Sequence, residues 1–163
     1  FTILNLFFLF SFVGWLLDSA WCSYHSRRQV FSGVLKPLPI CPVYGVGGLA
    51  VLATFRWLAT APLFFTVIGG WLAAVLTEYL VGWFCQIFLG RKLWDYSASR
   101  YHLHGHVELL HSLIWLVLIL ILYALISARI GYNQLSFFNK LIIPDSSMAE
   151  QEAVDMIRVL FVY

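Results

Sequence analysis

Long apolar runs limit what this chain can fold into more than any motif does. Residues 109–128 are almost unbroken Leu, Ile and Val. Residues 3–24 form a second run, interrupted by Asn5 and Asp18, and residues 62–89 a third, which contains Glu78. A bilayer core takes roughly 20 apolar residues as a helix, so each of the three is long enough to cross. A shorter run, 42–58, follows a stretch (33–48) holding Pro37, Pro39, Pro42 and four glycines, a composition that resists a regular helix. That segment is expected to cross fully or to dip in and return.

In lipid every backbone polar group must be satisfied internally, which leaves helices as the natural element for such runs. The expected fold is therefore all-α: a polytopic transmembrane helical bundle of about four spans over 1–128. An irregular Pro/Gly-rich segment lies before or within span two, and residues 129–163 form a C-terminal interfacial or amphipathic tail. In that tail Ser147 and Glu150 stand at capping-box spacing ahead of an apolar-faced helix.

Composition supports the same reading. Hydrophobic residues make up 61% of the 163 and charged residues 11%, against about a quarter charged in a soluble domain. A net charge of +2 with no basic, aromatic-interleaved run gives nucleic acid nothing to bind. The three cysteines, Cys22, Cys41 and Cys85, are odd in number and lack CxxC spacing, so no disulfide framework or redox motif is expected. If four segments cross, the loops after spans one and three share a side. They carry Arg27, Arg28, Lys36, Arg91, Lys92 and Arg100, which places that side in the cytoplasm and both termini outside.

Two acids lie inside the apolar runs, where a charge costs a few kcal/mol or more and normally faces protein or a wet cavity. Stepping by four from Gly70 gives Ala74, Glu78 and Gly82. The same step gives Gly14, Asp18 and Cys22. Small residues at this spacing let helices approach closely, so each acid is expected on an inward stripe. There it either lines a polar site or is hydrogen-bonded or paired with a loop arginine to fix the packing.

Three loop clusters add chemistry. Pro42, Tyr44 and Gly45 belong to a rigid-then-permissive segment, Pro39 to Gly48. Leu93, Trp94, Asp95, Tyr96 and Ser97 join an interfacial aromatic pair to an acid and a hydroxyl, with Asp95 able to pair with Arg91 or Arg100. His102, His104 and His106 alternate, with Glu108 and His111 beyond. An extended segment would put the three histidines on one face for Zn or Cu. No second ligand group stands out, and neither a metal nor another cofactor is expected. No GxxxxGK[ST], GxSxG or HExxH occurs in the sequence, so ATP hydrolysis would need a separate subunit and enzymatic activity is not the expected role.

Four blocks together resemble a bacterial family of small membrane proteins catalogued as ABC-transporter permeases, over about residues 4–118. They are Ser11-Phe12-Val13-Gly14-Trp15 with Asp18, Pro42-Val43-Tyr44-Gly45-Val46-Gly47, Glu78-Tyr79 with Gly82, and Leu93-Trp94-Asp95-Tyr96-Ser97. Asp18 stands where the family typically has Glu, and His102 where Asn is expected. The resemblance implies a transporter permease-type subunit in the bacterial inner membrane, with a polar site for a small solute or ion. The expected partners are the lipid bilayer, further copies of the chain and a separate ATPase subunit. The rival expectations are a non-transporting scaffold or regulatory subunit, and a membrane enzyme acting on a lipid-linked substrate.

Overall fold

The computed structural model describes residues 2–29, 31 and 38–130. The expected tail helix lies outside the described residues, as does Lys36. Four helices form in order: α1 (Ile3–Ser26), α2 (Pro42–Trp57), α3 (Leu63–Phe88) and α4 (Leu109–Ile130). Between α3 and α4 a minimal antiparallel hairpin, β1 (His102–Leu103) and β2 (Val107–Glu108), pairs His102 with Glu108.

Three helices are long and apolar enough to cross a membrane: α1, α3 and the Leu109–Ser127 part of α4. The bundle is all-α, but the expected fourth span does not reach that length. Helix α2 has 16 residues, about 24 Å at 1.5 Å per residue, against roughly 30 Å of hydrocarbon.

Nor is the glycine-rich part of that segment irregular. From Pro42 onward it is continuous helix, with the proline in the first turn, where its missing N–H costs nothing. Gly45, Gly47 and Gly48 are all buried within it. Packing overrides their poor propensity: Gly45 lies against Ser11 and Phe7 of α1, and Gly48 against the Phe10 ring. Gly45 and Gly48 are the surface on which α1 rests, while Gly47 faces Trp115 of α4 and Thr77 of α3.

The contacts fix the direction of each helix. Gly14 meets Tyr44 and Gly48 meets Phe10, so α1 and α2 are antiparallel. Gly69 meets Thr54 while Gly47 lies near Thr77, so α2 and α3 are antiparallel. On α4, Trp115 reaches Glu78 and Ile119 faces Gly70, continuing the alternation. The core runs through α2, where Val51, Leu52 and Phe55 are almost fully enclosed, joined by Leu6, Val67, Ala74, Ile119 and Ile126.

Helix α3 shows the organisation of a membrane protein. Gly70, Ala74, Glu78 and Gly82 are buried, while Leu72, Leu76, Leu80 and Ile87 are exposed. Small residues turn inward, and large apolar ones face where lipid would lie.

Candidate functional site

The alternation of helices brings the end of α1, the start of α2, the end of α3 and the start of α4 to one end of the bundle. The loop before α4 covers that end. Beneath it is a cavity of about 580 Å³ lined from all four helices and the loop. This is the end that carries Arg27, Arg28, Arg91, Lys92 and Arg100.

Glu78 forms part of the cavity wall and is only 6% exposed. Its Oε1 accepts a hydrogen bond from the Tyr96 hydroxyl at 3.3 Å. Its Oε2 accepts from the Trp115 indole N–H at 3.0 Å. Both donors are neutral. Each belongs to an aromatic pair: Trp115 with Tyr44, ring centroids 5.0 Å apart, and Tyr96 with His111, 4.7 Å apart. Burial, and next the charge of Glu78, pushes the Tyr96 hydroxyl well above its ordinary range, so it stays a donor at neutral pH. His111 is itself tied to Glu108.

Asp18, half-buried on α1, lines the same cavity. No ion pair reaches Asp18 or Glu78 among the described residues. Of the alternatives expected for the acids, pairing with a loop arginine is therefore not found there, whereas Glu78 is hydrogen-bonded.

The loop is held shut by its own polar network. Lys92 donates to Asp95 at 3.1 Å, to Ser97 at 3.2 Å and to the His104 carbonyl at 3.2 Å. Asp95 thus pairs with Lys92 rather than with Arg91 or Arg100. Both the Ser97 hydroxyl and its amide donate back to Asp95. Gly105, at φ +77°, sits so close that a Cβ would lie within 2.6 Å of Lys92, Asp95 and Ser97. Tyr96 N–H donates to the Gly105 carbonyl at 2.9 Å and Trp94 to the His106 carbonyl at 2.8 Å. These bonds seat the two aromatics over the end of α3. Gly82 makes room for them, since a Cβ there would lie 3.0 Å from His106 and 3.1 Å from Trp94. The last small residue of the α3 stripe thus meets a loop, where a helix was expected.

Ser97's side chain and amide, then Lys92, hold the exposed Asp95 carboxyl well below its usual range, at about 2. A depressed folded-state value means these bonds are fully present above the unfolded carboxyl value of about 3.9. They are lost as pH falls through about 2. Pepsin cleavage within residues 91–104 is therefore expected to be slow near pH 4 and to accelerate below about pH 3. Asp95→Asn is expected to make it fast at both; a variant showing the unmodified chain's pH profile would refute this role.

Of the residues singled out from sequence, Asp18, Tyr44, Glu78, Trp94, Asp95 and Tyr96 meet at the cavity. Pro42, Gly45 and Ser97 do not line it. Pro42 starts α2, Gly45 packs under α1, and Ser97 holds Asp95. The histidines are not gathered as metal ligands. They occupy a tight turn, where His102 accepts from the Gly105 amide and His104 bonds Tyr79. No group of three or more His, Cys, Asp or Glu suited to a metal forms among the described residues. Sequence reading missed Trp21, Cys41, Lys92 and Trp115 in the wall, while Cys22 lies there on the same stripe as Asp18. Only Trp115, the one indole in the aliphatic run of α4, carried a usable signal.

Residues 5–145 match the model of a family described as "Putative ABC-transporter type IV". The chain belongs to that family. The match takes in all four motif blocks and nearly all of the described bundle, and runs beyond α4 into residues that the motif blocks left out. Neither a curated protein nor a solved structure matches the chain. With three helices of spanning length, this type IV family member is a multi-pass membrane protein related to ABC-transporter permeases.

Proposed function

We propose that the chain is the membrane subunit of a transporter, with the cavity between Asp18 and Glu78 as its binding site for a small polar solute or cation. The observation that carries this is the pairing of two acids from different helices in one 580 Å³ space, with no basic side chain paired to either among the described residues. Charges inside a membrane protein are costly, and mark solute or ion pathways when retained. On this reading α2 is the fourth crossing. It runs opposite to both α1 and α3, so it returns the chain between their ends, and protein rather than lipid surrounds its short, glycine-faced length. The cavity lies at the end of the bundle that carries the basic loops, hence on the cytoplasmic side of a bacterial inner membrane. Four helices enclose little volume, so translocation would need further copies of the chain or a separate ATPase subunit.

Reconstituted proteoliposomes test this directly. Uptake of at least one polar solute is expected, with Glu78→Gln lowering it roughly tenfold or more. No uptake across a broad panel, or uptake indifferent to the substitution, would defeat the proposal.

A second reading has its own observation. Glu78 bonds α4 through Trp115 and the loop through Tyr96, as a structural tie in a non-transporting scaffold would. It predicts that Glu78→Gln lowers detergent stability and partner capture in proportion, with no separate loss of flux.

A further inference from the structure

We infer that the cavity takes a small organic ammonium ion. This deepens the solute-site reading above and rests on it. Glu78 is held by two neutral donors, Trp115 and Tyr96, whose polar edges are spent on its oxygens. Their rings and those of the paired Tyr44 and His111 remain as wall, with Trp21 and Trp94 completing an aromatic lining. Of the basic groups in that wall, Lys92 is engaged with Asp95 and Ser97, His111 with Glu108, and Arg91 is exposed and pairs with neither Asp18 nor Glu78.

Two acids with no paired cation favour a positive ligand over a negative or neutral one. Aromatic faces select which positive ligand. A quaternary or alkylated ammonium is weakly hydrated and is attracted to the negative faces of Trp and Tyr, as in aromatic cages. A bare inorganic cation instead needs several converging oxygens, and no metal-suited cluster forms among the described residues. The space, about 580 Å³, falls in the range of small-molecule pockets, roughly 300–1,000 Å³, far above what an ion fills. Acidic walls disfavour an anion, and a neutral solute would leave the charge uncompensated.

The test uses the full chain in phosphatidylglycerol nanodiscs, whose headgroups carry no ammonium. Choline and tetramethylammonium are titrated by calorimetry and by tryptophan fluorescence, since Trp21, Trp94 and Trp115 line the site. Saturable binding of one ion per chain is expected, undisturbed by equimolar sodium or potassium. Asp18→Asn should weaken it roughly tenfold or more, while Asp18→Glu, which keeps the charge, should stay within about threefold. Thermal unfolding of both variants checks that they remain folded. Competition by phosphatidylethanolamine or phosphatidylcholine doped into the disc would assign the same chemistry to a lipid headgroup. Absence of saturable binding, or equal affinity in folded Asp18→Asn, overturns the inference. Uptake of some other solute, abolished by Glu78→Gln without ammonium binding, would overturn it and leave the transport reading intact. Ammonium binding without any flux would do the reverse.

Discussion

Gly14→Ala is expected to lower the stability of the bundle by about 3 kcal/mol, the upper part of the usual range for forcing volume into a packed interior. A Cβ at Gly14 collides with the Cβ and Cγ of Tyr44. Those atoms are the stem of the side chain, not its movable end, so relief requires α1 and α2 to separate. The consequence travels further, because Tyr44 packs at a tilt against Trp115 and Trp115 holds Glu78. A single methyl group should therefore cost both helix packing and the shape of the cavity. Unfolding in detergent checks the first effect, and loss of choline binding at temperatures where the variant is folded checks the second. Ala20→Val, at an exposed position on the same helix, serves as the comparison and should change neither. If Gly14→Ala unfolds like the unmodified chain, the close α1–α2 approach is wrong.

Gly105→Val is expected to release the loop while leaving the helices assembled. The backbone there has φ +77°, which costs an L-residue roughly 1–2 kcal/mol and a β-branched one more. The added side chain also enters the space held by Lys92, Asp95 and Ser97. Together these should shift the closed loop toward its open form by about 100-fold, roughly 2.7 kcal/mol. Trypsin reads this shift, since Arg91, Lys92 and Arg100 lie in the loop and cleavage follows the population of the open form. Gly90→Ala supplies the contrast. Its φ is +65° with nothing within 4 Å of the added Cβ, so only the backbone cost applies and cleavage should rise about tenfold. Equal cleavage in the two variants would mean that the polar network does not hold the loop down.

The membrane character, the positions of the helices and the inward face of α3 were readable from residue order. Local geometry settles them: a run's length decides whether it can span, and a step of four decides which side chains share a face. Hence Gly70, Ala74, Glu78 and Gly82 all turn inward as their spacing requires. Local rules failed where packing or a turn outweighed them. The glycines of α2 form regular helix because neighbouring helices press on them, α1 on Gly45 and Gly48 and Trp115 of α4 on Gly47. The alternating histidines do not gather as three metal ligands, because His104 and Gly105 both adopt positive φ and close a turn.

What binds Glu78 could not be read from the chain. Tyr96 stands 18 residues away and Trp115 37, and nothing local relates them. Their meeting depends on how far α4 slides along α3 and on how the loop folds over Gly105, quantities set by many contacts at once. Sequence alone determined that two acids face inward. Only the tertiary structure decided that they share one aromatic cavity, because facing inward is a property of a single helix, whereas sharing a space depends on the heights and rotations of several.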